Sequence, residues 1–207
     1  MVKNMGTFKD FSDGTLKTVF DIGNKKIIEM SLLFNKEDKD VVCVPTHHFC
    51  NLGCKMCHLT NKGLNKSMIP INSEDFIECL FQTLTRNNEK RTNKKKLLIS
   101  FMGVGEPLLN LRLIEEVYKN EKLIKEKLGY EDVGYALATM MPNNNILELK
   151  EIVCRLNIPL KIHFSMHTPI DKERYSLIPS TKVSVSEALA YLVNYRQSLQ
   201  SNENIMK

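Results

Sequence analysis

The feature that most restricts this chain is a change of rhythm at residue 73. From there onward amphipathic helical segments alternate with short apolar strands: helices over 73–85, 111–127, 146–156 and 184–199, strands over 97–102, 133–139 and 160–165, and a short helix near Asp171. Strands separated by helices of this length form right-handed βαβ units, and hence a parallel sheet. A further apolar strand over 40–44, stopped by Pro45, joins it from upstream. In such sheets the working site lies at the carboxyl ends of the strands. The loops after Val44, Met102, Thr139 and Ser165 are therefore expected to converge. Before this core, strands over 16–20 and 26–34 joined through Gly23 and Asn24 read as a β-hairpin, preceded by a polar stretch with a turn at Ser12–Thr15. The expected organisation is an N-terminal hairpin segment over 1–35 and an α/β core over 36–207.

A chain of 207 residues with 43% hydrophobic and 26% charged residues can bury a core, which argues against disorder. Its net charge of +5 permits a polyanionic partner without demanding one. The opening residues contain no apolar leader, and no apolar run approaches membrane-spanning length, so a cytoplasmic protein without a membrane partner is expected. Six cysteines would suit a disulfide framework in a small secreted domain, but not a chain of this length without an export signal.

Four of those cysteines crowd into one stretch. Cys50, Cys54 and Cys57 have the spacing C-x3-C-x2-C, with Cys43 seven residues ahead of them. Thiolates so close on one loop share a metal or act as redox partners. Three are one short of a closed structural zinc site, which leaves His47, His48 or His58 as a fourth ligand in a zinc reading. A 4Fe-4S cluster held by three cysteines would instead keep one iron open to a ligand. Cys79 and Cys154 fall on amphipathic segments and read as core thiols.

The loop Gly103-Val104-Gly105-Glu106-Pro107 lets bare backbone approach a ligand and sets a carboxylate beside it, which suits an α-ammonium group, although by itself the phrase could be only a glycine turn before a helix. At the end of the strand over 160–165, Ser165 and His167 could hydrogen-bond the ribose or carboxylate of a nucleoside-linked amino acid.

The cysteine spacing, set after a strand in a βα protein, resembles the radical S-adenosylmethionine (radical SAM) superfamily. One branch matches more closely: the radical SAM methyltransferases acting on carbon 2 or carbon 8 of adenine in ribosomal RNA, and in some cases transfer RNA. The matching phrases are Ser12-Asp13-Gly14-Thr15-Leu16-Lys17, Cys43 with the cysteine triad, Met102 through Asn110, and Phe164-Ser165-Met166-His167-Thr168-Pro169 running on to Ile178-Pro179. The resemblance implies a partial radical SAM (β/α) barrel with parallel strands. It implies a 4Fe-4S cluster on Cys50, Cys54 and Cys57, and S-adenosyl-L-methionine held by Gly105, Glu106, Ser165, Met166 and His167. Glu29 falls at the family's proton-accepting glutamate if the connection from Phe34 to Val42 carries one extra residue. Cys43 matches the cysteine that resolves the covalent enzyme–RNA adduct through a transient disulfide. In the family, one cofactor molecule methylates a second cysteine, and another yields a 5′-deoxyadenosyl radical that activates that methyl group. The substrate would be RNA, with carbon 2 of an adenine the preferred target, and an external electron donor would reduce the cluster.

The chain departs from the family in three places. The family's amino-terminal RNA-contacting domain has no counterpart, Ala138 stands where a serine of the third strand end is expected, and Lys207 comes before the strand carrying the methyl-bearing cysteine and an asparagine of the cofactor pocket. Cys79 and Cys154 lie in helices and in the wrong order to replace that cysteine. The expectation is an incomplete barrel with an unpaired edge at the strand over 160–165 and poor methyl transfer by the chain alone, or a site completed by a second polypeptide. Two other readings are a radical SAM enzyme with another substrate and a non-catalytic zinc- or RNA-binding remnant. The basic segment Arg86, Lys90, Arg91, Lys94, Lys95 and Lys96 could touch phosphates, although a solvated linker is the reading preferred for it.

Overall fold

The structure is a computed structural model that describes residues 2–33, 39–63, 67–86 and 95–200. Its centre is a seven-stranded sheet in which every strand pairs with its neighbours in sequence. The strands are β1 (Lys3–Lys9), β2 (Leu16–Asp21), β3 (Ile27–Leu33), β4 (Lys39–Cys43), β5 (Lys96–Phe101), β6 (Asp132–Thr139) and β7 (Leu160–Phe164). Pairings from β1 to β4 are antiparallel and those from β4 to β7 parallel. The helices are α1 (His58–Asn61), α2 (Ser73–Arg86), α3 (Leu111–Lys119), α4 (Glu121–Leu128), α5 (Ile146–Leu156), α6 (Asp171–Leu177) and α7 (Val185–Gln200). The sheet is open: among the described residues β7 pairs with β6 alone.

Because side chains alternate across a strand, the register sorts them into two faces. One row runs Leu16, Leu32, Val42, Ile99, Tyr135, Leu160 across β2 to β7, and all six are buried in the main core. Phe76, Cys79, Leu80 and Leu84 of α2 and Ile114 and Val117 of α3 belong to that same core. The next row, on the opposite face, runs Phe8, Lys17, Ser31, Cys43, Ser100, Ala136, Lys161. It is small or polar throughout its middle, which leaves room above the sheet for a site.

The expected hairpin exists and gains a third antiparallel strand, β1. The helix expected over 111–127 is divided at Asn120, whose side-chain amide donates to the Glu116 carbonyl at 2.9 Å and so ends α3. The edge strand β7 is less apolar than expected, with Lys161 and His163 exposed and the Tyr195 hydroxyl donating to the Leu160 carbonyl at 3.0 Å. Charged residues on an edge discourage pairing with other chains. Cys79 is a core thiol, pushed up to about 12 by burial and then by the charges of Asp75 and Glu78. No helix among the described residues is long and apolar enough to cross a membrane. Of the basic segment, Lys90, Arg91 and Lys94 lie outside the described residues; Arg86 and Lys96 are exposed, and Lys95 pairs with Glu131 at 2.8 Å.

Candidate active site

The loops that follow β4 and β5 are tied to one another. The Thr46 and His47 amides both donate to the Val104 carbonyl, at 2.9 and 3.3 Å, and the Gly103 amide donates to Val44 at 3.0 Å. The Asn110 side-chain amide donates to the Thr46 and Ile71 carbonyls, at 2.8 and 3.1 Å. The cysteine loop is pinned from the far end of the chain, by the Lys55 amide on the Leu177 carbonyl at 2.8 Å and by the Ser180 hydroxyl on the Leu52 carbonyl at 2.6 Å.

Between these loops and the inner sheet face lies a cavity of about 380 Å³. Lys17, Glu29, Ser31 and Cys43 form its sheet wall; Cys50, Cys54, Cys57, Gly103, Gly105 and Met140 contribute from the loops. The structure thus gathers six of the residues singled out by sequence: Glu29, Cys43, the cysteine triad and Gly105. Glu106 turns away from that cavity. It is buried, and its carboxylate accepts the amides of Leu108 and Met140, each at 3.1 Å, with a further hydrogen bond to Thr139. Burial raises its pKa, and these hydrogen bonds pull the other way. Ser165, Met166 and His167 follow β7 and do not line the cavity. The Ser165 amide is tied to the Thr139 carbonyl at 2.8 Å, and His167 has a left-handed φ of 62°.

Burial pushes the Cys43 thiol up, opposed by a hydrogen bond from the Met102 backbone and by the Lys17 charge. Cys50 is raised by burial and, more weakly, by Cys57 and Glu106. Cys54 is pushed up to about 11, by burial first and then by Cys50 and Cys57. Bare thiolates therefore repel one another here, and a cationic metal core bound to their sulfurs would remove that cost. The donor set fits an iron–sulfur cluster on these chemical grounds. Among the described residues no three Cys, His, Asp or Glu side chains form a ready-made single-ion site.

Lys17, Ser31 and Met140 line this cavity and were not singled out from sequence as parts of a site. Lys17 holds Glu29 at 3.2 Å, and the Met140 thioether lies 3.5 Å from the Cys54 sulfur. Lys17 lies next to buried Leu16 on an alternating strand, so its face was legible; its partner was not, because that depends on cross-strand register.

The glycine loop is held by a buried histidine. His47 bonds to the Thr46 hydroxyl at 2.9 Å and to the Leu109 backbone. Gly105 has a φ of +106°, and a Cβ there would lie 2.5 Å from the His47 ring nitrogen and 2.8 Å from the Thr46 hydroxyl. Gly105→Ala is expected to cost about 1–3 kcal/mol from backbone strain alone, with the clash adding to it. Urea denaturation measures it, and a loss below about 0.5 kcal/mol would show that the loop moves aside freely.

Burial lowers the His47 pKa from 6.5 to about 4, so its ring is neutral at pH 7. Protons then bind the unfolded chain more readily, and the stabilisation present above pH 6.5 is lost as pH falls from 6.5 towards 4. The loss expected from this group is at most on the order of 3 kcal/mol. Comparing urea midpoints at neutral and mildly acidic pH for the chain and for His47→Gln measures it; equal pH dependence in both would refute the assignment.

The likeness in fold comes first. A radical SAM methyltransferase from Sphaerobacter thermophilus superposes with a TM-score of 0.73 and 22% identity, over 95% of this chain and 55% of that one. The sheet is therefore that of a radical SAM methyltransferase fold. Sequence carries the likeness to RNA methyltransferases. The dual-specificity RNA methyltransferase RlmN of Buchnera aphidicola subsp. Schizaphis graminum is 27% identical over 191 residues, 92% of this chain and 50% of its own length. The probable RlmN enzymes of Phocaeicola vulgatus and Clostridioides difficile are 30% and 29% identical, over 91% and 86% of this chain and 49% and 48% of their own lengths. No family model matches the chain. The chain is similar in sequence to these RNA methyltransferases and in fold to that radical SAM methyltransferase, and it spans about half the length of the curated relatives it matches.

Proposed function

We propose that this chain carries the cofactor-binding centre of a radical SAM RNA methyltransferase directed at carbon 2 of an adenine in ribosomal RNA, with transfer RNA as a second substrate. The observation that carries the reading is the convergence of Cys50, Cys54 and Cys57 with Glu29 and Cys43 on one cavity. Cys50, Cys54 and Cys57 would hold a 4Fe-4S cluster, and Gly105 on the same cavity would meet S-adenosylmethionine, with Ser165, Met166 and His167 reached only beyond the cavity lining and the buried Glu106 free to take part only if the loop turns it outward. When bound, these groups supply one-electron cleavage chemistry and a methyl group, with the electron coming from an external donor. An electron-poor aromatic C–H offers no lone pair for ordinary methyl transfer, which is why chemistry of this kind is needed. Glu29 takes the ring proton from the sheet wall, where Lys17 orients its carboxylate. Cys43 lies on the adjacent strand of that wall; its thiolate would attack the sulfur of a second, methyl-bearing cysteine, forming a disulfide as the sulfur–carbon bond to the RNA breaks and the carbon takes up the electron pair and a proton. Because the cavity sits behind the loop layer, the target base has to be unpaired or flipped to enter it.

Anaerobic reconstitution with iron and sulfide tests the cluster: about four irons per chain are expected, and zinc in place of iron would overturn the reading. Measuring 5′-deoxyadenosine with and without RNA tests the substrate. Stimulation by RNA supports it, and stimulation only by another class of molecule would assign a different substrate to the same centre.

A further inference from the structure

A second cavity adjoins the one that holds the cysteines. It has a volume of about 230 Å³ and shares Glu29, Leu59 and Val104 with its neighbour. Ile27, Pro45 and Phe49 complete its apolar walls, and His47 and His48 add two imidazoles. The volume corresponds to roughly eight waters at about 30 Å³ each, which is room for one bicyclic ring. It falls below the roughly 300 Å³ at which pockets for whole drug-sized ligands begin. The two histidines differ in what they offer. His47 is engaged with the loops, through the Thr46 hydroxyl and the Leu109 backbone. His48 is 6% exposed, and its Nδ1 lies 3.1 Å from the Ile27 carbonyl. A carbonyl only accepts, so Nδ1 carries the proton and Nε2 of the neutral ring is an acceptor.

From this geometry we infer that the second cavity is the slot for the target base, a flipped-out adenine whose Watson–Crick edge meets Glu29 and His48, and that His48 selects adenine through its 6-amino group. The inference rests on the reading of RNA as substrate and deepens it. At about 380 Å³ the first cavity has the size that one cofactor fills, so the base needs room of its own. Ile27 and Glu29 are alternate residues of β3, on one face of the sheet and about 7 Å apart. The ring anchored at Ile27 and the carboxylate of Glu29 therefore line the same wall. An adenine that donates its 6-amino group to Nε2 carries C2 on the other side of N1, towards Glu29. C8 lies on the other ring, remote from both groups, so the slot accounts for carbon 2 as the target. Apolar and aromatic walls with hydrogen bonds to the Watson–Crick edge are how flipped bases are held. A purine without the amino group would leave the buried acceptor of His48 without a donor, which is costly.

The test is binding of short labelled oligouridines to the full chain, followed by fluorescence anisotropy at fixed salt. One oligomer carries a single central adenosine, and a second carries purine riboside, which lacks the amino group, at that position. The adenosine oligomer is expected to bind about five-fold more tightly than the purine riboside oligomer. His48→Leu is expected to bring the two to equal affinity. Ile27→Trp fills the slot but keeps the backbone carbonyl, and is expected to lower the adenosine oligomer to the affinity of plain oligouridine. Iron content after reconstitution is expected to be unchanged in both variants, which separates loss of the slot from loss of the fold. If the unaltered chain binds RNA without distinguishing the two oligomers, the slot is overturned while the proposed function stands. The same holds if either variant keeps the full preference for adenosine. If the unaltered chain binds no RNA, the reading of the substrate fails and the slot with it.

Discussion

Cys54→Ala is expected to abolish iron retention: after anaerobic reconstitution and desalting, iron per chain should fall from about four to background. Burial, and then Cys50 and Cys57, push the Cys54 thiol up to about 11, a cost that a metal fixing its sulfur as thiolate would remove. Cys50→Ala and Cys57→Ala should behave alike, because a cluster held by only three protein ligands would have none to spare. Cys43→Ala provides the contrast. Its sulfur lies on the sheet wall rather than in the triad loop, and iron content is expected to be unaffected. Equal loss of iron in Cys43→Ala and Cys54→Ala would mean that Cys43 is a ligand, and the assignment of roles on this wall would have to be redrawn.

The second large effect concerns stability. Arg174 of α6 is completely buried, and among the described residues no carboxylate forms an ion pair with it. Its guanidinium instead donates to the Met140 carbonyl, to the Val183 carbonyl at 3.0 Å and to the Thr181 hydroxyl at 3.1 Å, and it lies 5.1 Å from the centre of the Phe164 ring. Thr181 passes the link on to the Met141 carbonyl at 2.8 Å. One side chain therefore joins the ends of β6 and β7 to the segment before α7. Arg174→Ala leaves these acceptors buried without donors and opens a cavity, and about 3–5 kcal/mol of stability is expected to go. Arg174→Lys keeps the charge but loses the planar fork, so an intermediate loss is expected. Urea denaturation without metal measures both, and a loss under about 1 kcal/mol for the alanine variant would show that water or a shift of α6 supplies the missing donors. Since the Met140 amide donates to Glu106, the same substitution should also loosen the carboxylate beside the glycine loop.

Much of this architecture was legible in the sequence because burial imposes periodicity. The helix over 146–156 and the strands β5 to β7 carry apolar residues at the spacing their buried faces need, and their bounds follow within a residue or so. Elements without a buried face gave no such signal. No residue of α1 is buried, and none of β1 is, so both were hidden within stretches read as polar or irregular. The break at Asn120 was hidden for the opposite reason: Ile114, Val117, Ile124 and Leu128 are buried on both sides of it, and the apolar rhythm runs through. At the site, residue type and spacing picked out the cysteines and the glycine loop. The pairing of Lys17 with Glu29, the inward turn of Glu106 and the anchoring of the cysteine loop by Leu177 and Ser180 depend on which distant backbone atoms meet. Spacing along one chain does not contain that.

The strictly sequential order of the seven strands has a consequence for how the molecule is made. From β2 onward, each strand on leaving the ribosome finds a partner already in place. Every new pairing closes a loop no longer than one hairpin or one βαβ unit, so the search is short despite the parallel topology that usually slows folding. The sheet can thus grow during translation by adding strands to one edge, with Glu29 and Cys43 placed early. The cysteine loop is fastened only later, when α6 and Ser180 emerge and close over it.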